Sequence, residues 1–168
     1  FAEPEQLFYI SDDGKYYAYW PKSYKGKKST LQSRNALIGN FTEKYSVDLL
    51  QYFARERNLY AVQGVICKEI GLTPQSPSDV AICKTKRREQ KPEDIVAIFE
   101  VKMSIVWNWE FRDGKLICVG DYKTHQGNPG LLRSDSMLKA IGKSINIRVS
   151  GYKASQIPII ILGNTPIT

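Results

Sequence analysis

The chain has 168 residues, of which 42% are hydrophobic, and its 24 Lys and Arg against 17 Asp and Glu give a net charge of +7. No apolar run approaches the ~20 residues that a membrane-spanning helix needs, and the start Phe1–Pro4 lacks the organisation of a signal peptide. The length predicts a single domain over residues 1–168, and the positive charge favours a polyanionic partner such as nucleic acid.

The three cysteines, Cys67, Cys83 and Cys118, each lie inside an apolar segment that is typical of a strand. Their spacing matches neither a disulfide framework nor a zinc site. We therefore expect three buried thiols and a cytoplasmic location, where thiols stay reduced.

Residues 1–32 are predicted to form a β-hairpin followed by a basic loop. Two strand-like runs, Leu7–Ile10 and Lys15–Trp20, flank a turn that contains glycine. The loop interleaves lysines with Tyr and Trp, which suits phosphate neutralisation and base stacking, but a solvated loop beside an aromatic cluster has the same pattern. Its lysines are Lys22, Lys25, Lys27 and Lys28.

Helical periodicity runs from about Ser33 to Arg57 and produces two apolar stripes. The first contains Phe41, Tyr45, Leu49 and Tyr52, and the second contains Gly39, Val47, Leu50 and Ala54. Glu43 falls in the second stripe. A carboxylate there either lies at the rim of the core or points toward a buried site, and the helix alone leaves both open.

Two strand-like segments follow this helix, Tyr60–Cys67 and Asp79–Cys83, and Asp79 opens the second on the face opposite Val80 and Ile82. A charged loop then carries Lys86, Arg87 and Arg88 in a row before the longest strand-like apolar run of the chain. The spacing predicts that the strands on either side of this loop pair antiparallel.

That run, Ile95–Ile105, contains one carboxylate and one ammonium, those of Glu100 and Lys102. Because alternate side chains of a strand share a face, the two residues are neighbours. An unpaired buried charge is strongly destabilising, so both charges need partners. A solvated ion pair on an edge strand is the alternative, and the same spacing recurs in Asp121-Tyr122-Lys123.

A second hairpin, a helix and a buried strand complete the predicted order. In the hairpin, Trp107 and Trp109 share a face, as a core patch or a stacking surface. The helix begins near Ser134 with an apolar face inward and two lysines outward. Its inward residues are Met137, Leu138, Ile141 and Ile145, and its outward residues are Lys139 and Lys143. The apolar run Ile157–Asn164 predicts a strand covered on both faces.

Glu43 on a helix, Asp79 at the start of one strand and Glu100-Val101-Lys102 on the next resemble the PD-(D/E)XK nuclease superfamily, the fold of type II restriction endonucleases and related DNA-cleaving enzymes. The likeness covers Ser33 to Asn164. In that family an acidic strand residue and an acidic-x-lysine strand converge at one end of the sheet. One departure is the proline, which here stands two residues before the aspartate, in Pro77-Ser78-Asp79, rather than directly before it.

The resemblance implies an α/β fold of the α+β type, with a restriction-endonuclease-like central mixed β-sheet flanked by helices, N-terminal and internal hairpins, and a core over residues 33–168. It implies that Asp79, Glu100 and Glu43 are catalytic acids and metal ligands and that Lys102 is the catalytic cation. Two or three carboxylates without a Cys or His ligand also suit Mg²⁺ on chemical grounds, with Mn²⁺ as a substitute.

The expected function is a Mg²⁺-dependent endonuclease that hydrolyses phosphodiester bonds in DNA, as a type II restriction endonuclease. The alternatives are a structure-selective nuclease of the junction-resolvase or repair type and a non-catalytic DNA-binding module. DNA is the expected partner, no membrane is expected, and a homodimer is an expectation from the family. The candidate contacts to the DNA backbone are Lys22, Lys25, Lys27, Lys28, Lys86, Arg87, Arg88, Lys139 and Lys143.

Overall fold

The computed structural model describes residues 9–11, 16–17, 25, 32–103, 106–121, 123–124 and 134–164. In chain order its main elements are strands β1 (Tyr9–Ile10) and β2 (Tyr16–Tyr17), helix α1 (Gln32–Ala54), strands β3 (Tyr60–Gln63), β4 (Val80–Cys83), β5 (Ile95–Lys102), β6 (Trp107–Arg112) and β7 (Lys115–Asp121), helices α2 (Ser134–Val149) and α3 (Tyr152–Gln156), and strand β8 (Ile159–Gly163). The predicted combination of a mixed sheet with helices is confirmed. Lys22, Lys27 and Lys28 lie outside the described residues.

The described strands form two four-stranded sheets, in the orders β1-β2-β6-β7 and β3-β4-β5-β8. The second sheet belongs to a compact unit made of residues 41–102 and 134–163, and the first sheet belongs to another compact unit. A single domain over residues 1–168 stays a prediction. No helix in the described ranges is long and apolar enough to cross a membrane.

The sheet β1-β2-β6-β7 is antiparallel and contains both predicted hairpins. The β6–β7 turn has positive φ at Asp113 and Gly114, 48° and 72°, which matches the twist of the two strands. Trp107 and Trp109 are exposed, so they do not form a core patch. Cys118 pairs with Trp109 across the strands and is exposed with it, so the prediction of a buried thiol is wrong there. Cys67 and Cys83 are buried as predicted.

The sheet β3-β4-β5-β8 has β5 in its interior, with β4 antiparallel on one side and β8 parallel on the other. The predicted antiparallel pairing of β4 and β5 is therefore confirmed. Every residue from Ala97 to Val101 is buried, and because neighbouring residues of a strand point to opposite faces, both faces of β5 are covered. The core beneath this strand contains Val65, Ala81 and Ile98, all fully buried.

Strand β8 is less covered than its apolar sequence predicts. Ile160 is exposed, and Ile159, Ile161 and Leu162 are only partly buried. Within the described sheet β8 has β5 as its single neighbour, so it is an edge strand. The prediction of a strand covered on both faces is therefore wrong.

Helix α2 buries a different face from the predicted one. Ala140 and Ile147 are buried, whereas Leu138, Ile141 and Ile145 are exposed. At 100° per residue, the line through Ala140 and Ile147 lies roughly 125° around the helix from the centre of the apolar stripe. Lys143 falls on this buried side, and its Nζ atom contacts Glu100, so its predicted outward orientation is wrong.

Helix α1 follows one of its two predicted stripes. Leu50 and Ala54 of the second stripe are buried, whereas Tyr45, Leu49 and Tyr52 of the first stripe are exposed. The stripe that contains Glu43 is therefore the one that faces the core.

Candidate active site

Asp79 and Glu100 are brought together by the register of β4 and β5. Val80 pairs with Phe99, so Asp79 lies across from Glu100, one step beyond the last paired residues of the ladder. At this point the Oδ2 atom of Asp79 accepts a hydrogen bond of 2.8 Å from the backbone N–H of Val101. A side chain thus replaces the strand backbone as the hydrogen-bond partner, which fixes the Asp79 carboxylate at the end of β4.

Lys102 joins the two carboxylates. Its Nζ atom donates to Asp79 Oδ2 at 2.9 Å and to Glu100 Oε2 at 3.3 Å. It also donates to the carbonyl of Val101 at 3.2 Å. Asp79, Glu100 and Lys102 therefore lie in one cluster. Glu100 and Lys102 are neighbours because they are two residues apart on β5 and share a face of the strand.

Lys143 of helix α2 is a fourth member of this cluster. Its Nζ atom lies 2.6 Å from Glu100 Oε1 and 3.5 Å from Asp79 Oδ1, and it donates to the carbonyl of Pro77 at 2.7 Å. The sequence prediction assigned Lys143 to DNA contact, whereas the structure points it at the carboxylates. The sequence could have indicated this orientation, because Ala140, Lys143 and Ile147 are spaced at i, i+3 and i+7 and therefore share one side of the helix.

The cluster neutralises a carboxylate that is almost fully buried. The side chain of Glu100 is 2% exposed, while those of Lys102 and Lys143 are 24% and 20% exposed. Glu100 Oε1 has no hydrogen bond with the direction that such a bond requires, although its distance to Lys143 defines an ion pair. The ion pair still holds Glu100 Oε1, because attraction between full charges depends little on direction. Two carboxylates and two ammonium groups cancel one another, which lowers the free-energy cost of burying Glu100.

The ammonium group of Lys102 is held in its charged form. Burial lowers the pKa of Lys102, but the hydrogen bond to Asp79 and the charges of Asp79 and Glu100 raise it more, so the net pKa lies above the ordinary 10.5. Lys102 is thus a positive charge at neutral pH and has no free electron pair with which to act as a base.

Glu43 lies beside the same cluster. Its Oε2 atom accepts a 2.9 Å hydrogen bond from Gln63 Nε2. Burial raises the pKa of Glu43 above 4.5, the Gln63 hydrogen bond lowers it, and Asp79 acts with the burial while Lys102 and Lys143 oppose it. Glu43 is thus half-buried, is held by Gln63 and lies within the electrostatic influence of three cluster residues.

The similar motif at Asp121 has a different use. Asp121 Oδ1 accepts a 2.9 Å hydrogen bond from the backbone N–H of Thr124, and that bond holds the pKa of the Asp121 carboxyl below its usual range. Asp121 therefore closes a turn. The two acid-x-lysine motifs have the same spacing, but only the one at Glu100 and Lys102 belongs to the buried cluster.

The candidate DNA contacts in the described chain divide into free and engaged side chains. Lys25, Arg87 and Lys139 are exposed, and the exposed Lys86 has its Nζ atom 5.1 Å from the ring centre of Tyr60. Arg88 instead donates from Nε to the carbonyl of Gly64 at 2.8 Å, which ties the loop to the end of β3. Arg88 thus has a structural contact that the sequence did not indicate.

The donor atoms of the cluster suit a hard cation. Within the described ranges no three His, Cys, Asp or Glu side chains form a group that could enclose a metal ion. Asp79 and Glu100 nevertheless supply two carboxylates from opposing positions at β4 and β5, and Glu100 Oε1 is held by the charge of Lys143 without a directed hydrogen bond. Mg²⁺ is commonly held by one or two carboxylates together with water and substrate phosphate oxygens, so these residues fit magnesium without a full protein cage.

The raised pKa of Glu43 makes a prediction about stability. A carboxyl whose pKa is higher in the folded state destabilises the fold when it is ionised, and this penalty disappears as the pH falls through that pKa. Glu43→Gln keeps an acceptor for Gln63 and should therefore melt no lower than the wild type at pH 7, with an advantage that shrinks toward pH 4.5. Thermal melting against pH checks this, with the exposed Glu56→Gln as control. A Glu43→Gln protein that melts lower than the wild type at pH 7 would contradict it.

Comparisons with family models, with curated proteins and with solved structures find no match to this chain. The resemblance to the PD-(D/E)XK superfamily therefore stays a prediction from Glu43, Asp79, Glu100 and Lys102 as they stand in this sequence.

Proposed function

We propose that this protein is a Mg²⁺-dependent endonuclease that hydrolyses phosphodiester bonds in DNA. The observation that carries the proposal is the junction of Asp79, Glu100 and Lys102, in which one ammonium contacts both carboxylates at 2.9 and 3.3 Å. Buried clusters of titratable groups with a shifted pKa are common at catalytic sites. A type II restriction endonuclease is the form of this activity that the resemblance favours.

Each residue has a distinct role in this mechanism. Mg²⁺, when bound, supplies Lewis acidity toward the phosphodiester and makes water a stronger acid at neutral pH. Asp79 and Glu100 hold it through carboxylate oxygens, with Glu43 as an auxiliary acid. Lys102, anchored by Asp79 and by the Val101 carbonyl, offers a fixed positive charge to the phosphoryl oxygens, where negative charge grows in the transition state.

The charge balance of the cluster favours one alternative function, that of a non-catalytic DNA-binding module. The two ammonium groups already neutralise the two carboxylates, which is what a structural ion-pair cluster in a non-catalytic DNA-binding module would require. The two proposals differ in what the charge of Asp79 does. The charge of a catalytic Asp79 must also bind a metal ion, whereas the charge of a structural Asp79 only neutralises Lys102 and Lys143.

Cleavage by charge-neutral variants tests the proposal. Asp79→Asn keeps an acceptor oxygen for Val101 but loses the charge, and Lys102→Met keeps most of the side-chain volume. Each should nearly abolish Mg²⁺-dependent cleavage of plasmid DNA, and the double variant should lose little more, because both groups act on one transition state. Circular dichroism establishes that each variant is folded.

Asp121→Asn is the matched control, because Asp121 has the same spacing to a lysine but closes a turn. We expect it to cleave as the wild type does. Folded Asp79→Asn that also cleaves as the wild type would contradict the nuclease proposal. Discrete fragments from the wild type would indicate sequence-specific restriction, whereas a smear would favour a less selective nuclease.

The exposed loop residues Lys86 and Arg87 make a second prediction, about DNA affinity. If both contact phosphates, Lys86→Gln with Arg87→Gln should weaken binding and reduce the slope of log affinity against log salt by ~0.9 for each lost contact. Fluorescence anisotropy in EDTA measures this without cleavage. Lys153→Gln, at an exposed lysine of α3, is the control for the loss of charge. An unchanged slope would show that Lys86 and Arg87 do not contact phosphates.

A further inference from the structure

The carboxylates of Asp79 and Glu100 already have two cations as partners. Lys102 contacts one oxygen of each carboxylate, Asp79 Oδ2 and Glu100 Oε2. Lys143 contacts the other oxygen of each, Asp79 Oδ1 at 3.5 Å and Glu100 Oε1 at 2.6 Å. All four carboxylate oxygens of the pair therefore face an ammonium group, and a metal ion needs some of the same oxygens.

The two lysines are not equally suited to give up their place. Lys102 donates to three acceptors from the strand that also carries Glu100. Lys143 also has three partners, Glu100 Oε1, Asp79 Oδ1 and the Pro77 carbonyl, but it reaches them from helix α2, outside the sheet that carries both carboxylates, on a flexible four-carbon stem. The Lys143 ammonium can thus leave the carboxylates while the helix and its buried residues Ala140 and Ile147 stay in position.

We propose that Lys143 occupies the cation position between Asp79 and Glu100 in the metal-free protein and gives up that position when a divalent cation binds. This inference rests on the proposed function, because it concerns the same carboxylates. Lys143 is then a positioning residue that neutralises Glu100 until metal is available and that lowers the affinity for metal by the same interaction. By thermodynamic linkage, the free energy by which Lys143 stabilises the metal-free cluster equals the free energy by which it weakens metal binding.

The first measurement follows Lys143 in the wild-type protein and needs no variant. Lysine acetylation by acetic anhydride, mapped by mass spectrometry with and without Mn²⁺, reports how free each amine is. Displacement predicts that the acetylation of Lys143 rises severalfold when Mn²⁺ is added. The exposed Lys139, one turn earlier on the same helix, is the internal control and should not change.

The second measurement is calorimetric titration of Mn²⁺ into the wild type, Lys143→Met and Lys139→Met. Lys143→Met should bind Mn²⁺ roughly tenfold or more tightly, because a charge within ~4–6 Å of a carboxylate changes its affinity for a cation by this order. Without metal, Lys143→Met should melt lower than the wild type, and Mn²⁺ should restore it. Lys139→Met should match the wild type in both measurements.

The outcomes separate this inference from the function on which it rests. If Mn²⁺ binds the wild type but leaves the acetylation of Lys143 unchanged, the ammonium stays in place and the inference is overturned, while the nuclease proposal stands. Weaker Mn²⁺ binding by Lys143→Met would overturn it too. If the wild type binds no Mn²⁺ at all, the metal site itself fails, and both proposals fall.

Discussion

The structure of the site depends on one constraint, which is the burial of the Glu100 carboxylate in the interior strand of a sheet. Its side chain is 2% exposed, and removing one partner of such a buried pair costs about 3–5 kcal/mol. The fold meets this constraint from three directions. Strand β4 delivers Asp79 opposite Glu100, strand β5 carries Lys102 two residues further along, and helix α2 turns Lys143 inward. The buried Ala140 and Ile147 hold that side of the helix against the core.

A structural ion-pair cluster and a catalytic cluster share the geometry that this constraint imposes. Both need Asp79 and Glu100 close together, and both need Lys102 charged. They differ in whether the negative charge serves only the lysines or also a metal ion and a phosphodiester. The burial of Glu100 favours the second possibility, because a purely structural role could be filled by apolar residues of similar volume at little loss of stability.

The sequence predicted the strand side of the site better than the helix side. Alternation along Ile95–Lys102 put Glu100 and Lys102 on one face, and the spacing of the loop before it predicted the antiparallel pairing that brings Asp79 to them. The orientation of α2 was predicted incorrectly, because hydrophobicity assigned its broad apolar stripe to the core, whereas the packing of Ala140 and Ile147 decided the buried side. Lys143 was therefore assigned to solvent. The bond of Arg88 to the Gly64 carbonyl was also not predicted, because it depends on tertiary structure that local sequence does not encode.

The proposed function requires the Asp79–Glu100 pair to bind a divalent cation for chemistry rather than to serve only as an ion-pair cluster. Thermal melting of the wild type and of Asp79→Asn over a series of Mg²⁺ concentrations tests this requirement most directly, because a ligand that binds only the folded state raises the melting temperature with its concentration. We predict that the wild type is stabilised progressively and that Asp79→Asn is not. A wild-type melting temperature that does not respond to Mg²⁺ would contradict the proposed metal site.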